Sequence, residues 1–240
     1  MTKKLTVSFF FQIIELVFTS ILITKHIFMR KFLLLFLPFS VFAQTNLYEN
    51  PDFDRIAIDH KIIAVVPFKT QVKLRPKQMK DMTNEQLHRL EKSEGESIQT
   101  AMYSWFLKRK KRGDMQRIEV QDPNTTNAIL GKQGIDYNNI RDYTPMELAN
   151  ILGVDALISG NYETDKPMSE GASVALGLLI GFWGSTNNAL VNMSVHNAAD
   201  GILLWNYNKK VSGSIGSSPD DLINKLMRKA SRRLAYTKEN

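Results

Sequence analysis

The side chains that most often perform chemistry are few in this chain. The sequence has four histidines, His26, His60, His88 and His196, and no cysteine. None of the histidines has a second histidine or an acidic residue at the spacing of a metal site. Without cysteine there can be no disulfide, thiolate ligand or sulfur nucleophile. We therefore expect structural or solvated histidines, with no metal and no cofactor.

Spacing patterns of common catalytic sites are also missing. The sequence contains no Gly-x-Ser-x-Gly motif, and the glycine-containing stretch 177–181 lacks the Lys-Ser/Thr of a phosphate-binding loop. We expect no catalytic residue, and hence a protein that is not an enzyme. An enzyme remains the third and least favoured hypothesis, which clustered carboxylates in a deep pocket would revive.

Two basic stretches are the strongest electrostatic features. One is a helix face over residues 225–233, and the other is the run Lys108, Arg109, Lys110, Lys111 and Arg112. Cations at the carboxyl end of a helix offset the macrodipole, so a solvated face is the favoured interpretation. The alternative is contact with acidic lipid headgroups, cell-wall polymer or an acidic partner, which makes the run 108–112 a candidate basic contact.

The segment 171–184 is unusual because it carries no charge over fourteen residues. As a helix it would be about 21 Å long, which is short of a bilayer core. Two interpretations stay open: a buried element that covers the sheet, or an insert that contacts a membrane or a neighbouring subunit. The candidate contact residues are Leu178, Leu179, Ile180, Phe182 and Trp183.

The composition limits the class of protein. Its 240 residues are 43% hydrophobic and 23% charged, which suits one globular domain with extensions. The net charge is +7, but residues 1–43 hold five basic side chains and one acidic one, so 44–240 keep 26 basic and 23 acidic residues. This balance argues against a nucleic-acid binder.

The amino end has the pattern of a secretory signal. Residues 29–43 contain a basic start at Arg30 and Lys31, an apolar run over 32–42, and Ala43, which predicts cleavage before Gln44. A second apolar stretch precedes Met29, and we favour Met29 as the start, with 1–28 an upstream extension, over a membrane anchor. We expect a periplasmic or secreted protein, with peripheral outer-membrane association left open.

Beyond a leader arm over 44–60, the pattern predicts an envelope domain over 61–237. Strands are predicted at 62–68, 115–120, 154–160, 190–197 and 202–212, and the last two form a hairpin at Asp200-Gly201. Helices are predicted between Thr83 and Lys110, near 125–130, after Thr144 and after Ser218. This is an α/β (α+β) domain with a single mixed sheet of about five strands, in the order β-α-β-α-α-β-β-β-α.

Three stretches carry a family resemblance. They are Ile-Ala-Val-Val-Pro-Phe at 63–68, the helix, glycine and strand at 147–160, and 192–205 with its Asp200-Gly201-x-x-x-Trp205. The chain resembles the envelope domains grouped around curli-secretion lipoproteins, the TolB amino-terminal domain and the lipoprotein activators of penicillin-binding proteins, over roughly 61–235. The resemblance implies architecture, an envelope location and a role in binding partners. Many of those relatives carry an acyl anchor on a cysteine, which this chain lacks.

The leading hypothesis is an exported, non-enzymatic adaptor or assembly domain that binds another envelope protein through a sheet edge or its basic helices. The alternative is an oligomeric secretion component, or a membrane-associated one, that uses the insert 171–184. A homo-oligomer and peripheral membrane contact are both left open as partners, and nucleic acid is not expected.

Overall fold

The computed structural model describes residues 45–73, 76–80, 82–164, 188–212 and 219–238. The predicted extension 1–28, the signal 29–43 with its cleavage point and the insert 171–184 lie outside these residues. Within the described ranges, no helix has both the length and the apolar character needed to cross a bilayer.

One mixed sheet of seven strands organises the described chain, so the predicted α+β class with a single mixed sheet is confirmed. The strand order is β1-β7-β6-β5-β2-β4, and β3 also pairs with β5. The strands are β1 Thr45–Glu49, β2 Ile62–Val65, β3 Lys69–Val72, β4 Glu119–Val120, β5 Ala156–Thr164, β6 Asn188–Asn197 and β7 Leu203–Ser212. The helices are α1 Phe53–Ile56, α2 Pro76–Met79, α3 Asn84–Lys111, α4 Pro123–Lys132, α5 Pro145–Leu152 and α6 Pro219–Ser231.

The sheet has two strands more than the five predicted. The segment predicted as a leader arm contributes β1, which pairs antiparallel with β7 at the edge of the sheet. After Pro67 the chain re-enters the sheet as β3, parallel to the distal half of β5. Both strands are only four or five residues long, too short for a periodic signal to rise above the turn-forming residues around them.

The helices begin and end as their signals predict. Thr83 caps α3 through a capping box with Gln86, and Thr144 caps α5 through a capping box with Glu147. Gly153 ends α5 at φ 66°, a left-handed conformation that glycine adopts without steric cost. The chain then enters β5 within three residues, as the predicted helix-to-strand junction requires.

Helices cover the sheet unequally on its two sides. On one side, α3 and α6 pack on the largest core cluster, to which β6 contributes Val191, Met193 and Val195. On the other, α4 and α5 cover a smaller cluster around Ala64 and Leu157. Strand β2 is therefore buried on both faces, as its continuous apolar sequence predicts.

Phe68 lies at the bend between β2 and β3, where it packs against both helix α3 and strand β5. Its backbone N–H donates to the Gly95 carbonyl of α3 at 3.3 Å. A Cβ on Gly95 would lie 2.1 Å from the Phe68 carbonyl oxygen, and one on Gly160 of β5 would lie 2.4 Å from the Phe68 ring. Only glycine fits at either position, so these two residues let the helix and the strand close on Phe68.

A buried hydrogen-bond chain ties the amino-terminal segment to the carboxyl end and to the hairpin. The Nδ2 of Asn197 donates to Asp200 at 2.8 Å, so its Oδ1 accepts from His60 Nε2 at 3.2 Å. The other ring nitrogen of His60 then accepts from the Tyr236 hydroxyl at 2.6 Å. This arrangement uses the neutral imidazole, with Nε2 as the donor and Nδ1 as the acceptor, and protonation of Nδ1 would force the Tyr236 hydroxyl to reverse its role.

We predict that His60 makes the fold sensitive to mild acid. Burial lowers the pKa of His60, against the opposing effects of Asn197 and of the carboxylates of Asp155, Asp59 and Asp200. The unfolded chain therefore binds the proton more readily, and the free energy of unfolding should fall as the pH drops below about 6.5. Urea unfolding of wild type and His60→Gln across this range measures the effect. The wild type should lose more stability than the variant, and parallel pH profiles would refute the assignment.

Candidate functional site

The predicted basic run 108–112 separates into structural and exposed residues. Arg109 is buried, with 7% of its surface exposed, and donates to the Ser231 hydroxyl at 3.3 Å and the Arg228 carbonyl at 3.2 Å. Lys110 donates to the Ile118 carbonyl at 2.9 Å and pairs with Glu119 at 2.5 Å. The charged groups of Arg109 and Lys110 are therefore engaged within the domain. The candidate basic contact is reduced to its three exposed members, Lys108, Lys111 and Arg112.

Helix α6 brings further cations to the same end of the molecule. It runs parallel to α3, because Trp105 Nε1 donates to Asn224 Oδ1 at 3.3 Å and Arg109, four residues on, reaches the Arg228 carbonyl. The carboxyl ends of both helices therefore lie side by side, where cations offset two macrodipoles at once. We call the exposed cations here the basic end: Lys108, Lys111, Arg112, Arg228 and Arg232.

A cavity of about 300 Å³ opens on the opposite face of the sheet. Its floor is formed by β5 and β6, and one wall is the segment 137–145. That wall is fixed by the buried side chain of Ile140 and by the Tyr137 hydroxyl, which accepts from the Thr70 N–H at 3.0 Å. The volume is at the lower end of the range for small-molecule sites.

The cavity floor is built from neutral polar side chains in two cross-strand rows. One row places Ser159 of β5 opposite Ser194 of β6, and the next places Asn161 opposite Asn192. The second row continues over the neighbouring strands, where Asn192 pairs with Asn208 and Asn208 with Asn46. These residues lie on the face of β6, β7 and β1 that faces away from α3 and α6, as the alternating burial of β6 shows.

Two cations border the same floor. Lys69 is the register partner of Asn161 on β3, and the Arg141 guanidinium donates to the Asn161 side-chain oxygen. Neither cation forms an ion pair within the described residues, and no acidic side chain lines the cavity. Partial burial lowers the pKa of Arg141, although a guanidinium stays charged at any physiological pH. Burial also raises the pKa of Tyr137, so its phenol remains protonated.

The histidines do not converge. His60 lies in the hydrogen-bond chain described above, and His88 Nε2 contacts the Asn138 side-chain oxygen at 2.5 Å. His196 is on β6, where burial lowers its pKa and its Nδ1 has no hydrogen-bond partner. In the parts of the chain that the structure describes, no three histidine or acidic side chains are grouped to hold a metal ion.

The edge strand β1 is a second exposed feature that the sequence did not indicate. Among the described strands it pairs with β7 alone and ends the strand order. Leu47 and Tyr48 each keep 44% of their surface exposed. Since successive side chains alternate along a strand, these two residues present apolar surface on both sides of the edge.

We predict that Arg109 is needed for stability and Lys111 is not. Arg109→Met keeps the length of the side chain but removes its hydrogen bonds to Ser231 and the Arg228 carbonyl and its ion pair with Asp114, which should cost about 2 kcal/mol of unfolding free energy. Lys111→Met, on the exposed side of the same helix turn, should change it by less than about 0.5 kcal/mol. Chemical denaturation of both variants tests this, and equal losses would show that Arg109 is not a structural residue.

No protein-family model and no curated protein sequence matches the chain. Solved structures give weak similarities. A PelC dodecamer from Paraburkholderia phytofirmans is 12% identical with a TM-score of 0.41, over 80% of this chain and 96% of that one. The lipoprotein GNA1162 from Neisseria meningitidis is 13% identical with a TM-score of 0.38, over 75% and 99%. The LpoB carboxyl-terminal domain from Salmonella enterica is 10% identical with a TM-score of 0.30, over 67% and 93%. At these scores the fold rests on the chain's own structure.

Proposed function

We propose that the chain is an exported adaptor or assembly domain of the cell envelope, which binds another envelope protein and catalyses no reaction of its own. Export is supported by the signal pattern over 29–43, with its basic start and with Ala43 before the cleavage point. Partner binding is supported above all by one structural observation: β1 forms an edge of the sheet with exposed apolar side chains.

An edge strand can add a strand from another protein through main-chain hydrogen bonds. Proteins that avoid this protect their edges with lysine, proline or bulges. The sequence of β1, Thr-Asn-Leu-Tyr-Glu, contains neither lysine nor proline, and its five residues pair with β7 without a register shift. In the proposed complex, Leu47 and Tyr48 would contact the partner on opposite sides of the added strand and give specificity to an otherwise generic pairing.

The basic end offers a second surface for the same role. Its cations project from two parallel helix ends, and the nearby carboxylates of Asp114 and Glu119 pair with Arg109 and Lys110 instead of with them. A surface of this charge is complementary to an acidic patch on a partner or to anionic headgroups. Contact there would orient the domain while β1 provides the specific pairing.

We predict that a photo-crosslinking residue at Tyr48 captures one discrete envelope protein in the cells that produce the chain. The same residue at Lys111 reports on the basic end, and at Ile58, which is 61% exposed and lies outside β1, it serves as the control. Addition of Leu47→Lys to the Tyr48 probe should remove the adduct, because a lysine on an edge opposes strand pairing. The thermal midpoint of unfolding of the Leu47→Lys protein should stay within a few degrees of the wild-type value.

The identity and location of the adduct decide the result. An adduct with twice the mass of the chain would make the partner a second copy and favour an assembly role over an adaptor role. Equal adducts at Tyr48 and Ile58, an adduct that persists with Leu47→Lys, or a chain found only in the cytoplasm would contradict the proposal.

A further inference from the structure

We propose that the cavity between β5, β6 and the segment 137–145 binds a small organic oxyanion, such as the phosphate of a sugar phosphate or the carboxylate of a sugar acid. The inference goes beyond partner binding, because the cavity lies on β5 and β6 whereas the proposed partner surface is β1. The proposal rests on which donors and acceptors of the cavity floor have a hydrogen-bond partner within the protein and which have none.

The orientations of the Asn161 and Asn192 side-chain amides follow from neighbouring groups that can only donate or only accept a hydrogen bond. Arg141 can only donate, so Asn161 must present its oxygen to Arg141 and its amide nitrogen elsewhere. The Asn206 amide nitrogen contacts the Met193 carbonyl at 3.3 Å, and a carbonyl can only accept. The same nitrogen therefore donates to Asn192 Oδ1 at 2.8 Å.

Three side-chain oxygens of the floor are thus engaged as acceptors, whereas the amide donors beside them are not. The side-chain oxygens of Asn161 and Asn192 accept internal hydrogen bonds, and so does the Ser194 hydroxyl, which receives the Asn206 amide at 2.9 Å. The Nδ2 groups of Asn161 and Asn192 have no acceptor within the described residues. A floor with amide and hydroxyl donors requires a ligand rich in acceptor oxygens.

Charge selects the same class of ligand. Lys69 and Arg141 flank Asn161 and have no acidic partner among the described residues, and the cavity contains no carboxylate. An anionic oxygen beside them would form charge-assisted hydrogen bonds, which are about twice as strong as neutral ones. A neutral sugar would leave Lys69 and Arg141 without an anionic partner.

The shape limits the size of the ligand. A volume of about 300 Å³ suits a molecule near the size of one sugar. The apolar surface of the cavity comes from half-buried side chains, Pro67, Tyr143 and Pro145, since Leu148 and Leu157 are buried beneath it. A compact ligand that carries an oxyanion on a carbon skeleton can contact both the cations and these apolar side chains.

Calorimetric titration of the purified full chain with four probes tests the proposal: glucose 6-phosphate, glucuronate, inorganic phosphate and glucose. We expect glucose 6-phosphate or glucuronate to bind more tightly than glucose, and the tighter of the two identifies the preferred oxyanion. Inorganic phosphate should bind more weakly than glucose 6-phosphate, because it has no carbon skeleton to contact Pro67, Tyr143 and Pro145. Failure of both organic anions to bind at millimolar concentration, or equal binding of glucose, would overturn the proposal.

Asn192→Asp is the sharpest variant, because it keeps the oxygen that accepts from Asn206 and replaces the free donor by a negative charge. It should weaken binding at least tenfold, the effect of losing one hydrogen bond to a charged group. The matched control is Asn46→Asp, the same change in the same row, two strands or about 10 Å away. Arg141→Gln should also weaken binding about tenfold, and Lys132→Gln, outside the cavity, should not.

A wild-type affinity in Asn192→Asp, or an equal loss in Asn46→Asp, would contradict the donor floor. Thermal unfolding of each variant shows whether a loss of binding reflects a loss of fold. Because the cross-linking at Tyr48 does not involve the cavity, failure of the ligand proposal and failure of the proposed function give different results.

Discussion

The clasp of Gly95 and Gly160 around Phe68 is the constraint on which the other features depend. It sets α3 against the sheet, since a side chain at Gly95 would meet the Phe68 carbonyl. It also allows β5 to run past the bend between β2 and β3, so that one long strand pairs with both. Pro67 and Lys69, on either side of Phe68, become part of the cavity as a result. A side chain at Gly95 or Gly160 would therefore alter both the packing of the core around Phe68 and the geometry of the cavity.

Unequal coverage of the sheet produces the surfaces that are available for function. Helices α3 and α6 cover one face, and their shared carboxyl ends create the basic end. On the other face α4 and α5 pack mainly over β2 and β5, which leaves polar side chains of β6 and β7 accessible beside them. Asparagine and serine there replace the aliphatic residues that a covered sheet face would need, because a half-exposed face tolerates neutral polar groups without a desolvation cost.

Local signals in the sequence predicted most elements but few of the site residues. Capping boxes at Thr83 and Thr144, the exit at Gly153 and the Asp200-Gly201 turn each act through neighbours a few residues away, so the sequence shows them directly. The cavity instead joins Lys69, Arg141 and Asn192 from distant segments, which are brought together by strand register and by the packing of the segment 137–145 on β5. The alternation of Asn192 and Ser194 with buried aliphatic residues was a usable sign of a polar face. Nothing in the basic run marked Arg109 as buried, because its burial depends on α6 more than a hundred residues later.

The unfolding free energy of Gly160→Ala, compared with Gly131→Ala, tests the clasp most directly. A Cβ at position 160 would lie 2.4 Å from the Phe68 ring and 2.5 Å from the Asn192 backbone carbonyl oxygen, whereas one at position 131 would meet nothing within 4 Å beyond the backbone of its own helix. We expect Gly160→Ala to lose about 3 kcal/mol through overpacking. Gly131→Ala, within helix α4, should gain up to about 1 kcal/mol. A Gly160→Ala protein as stable as the wild type would contradict the account.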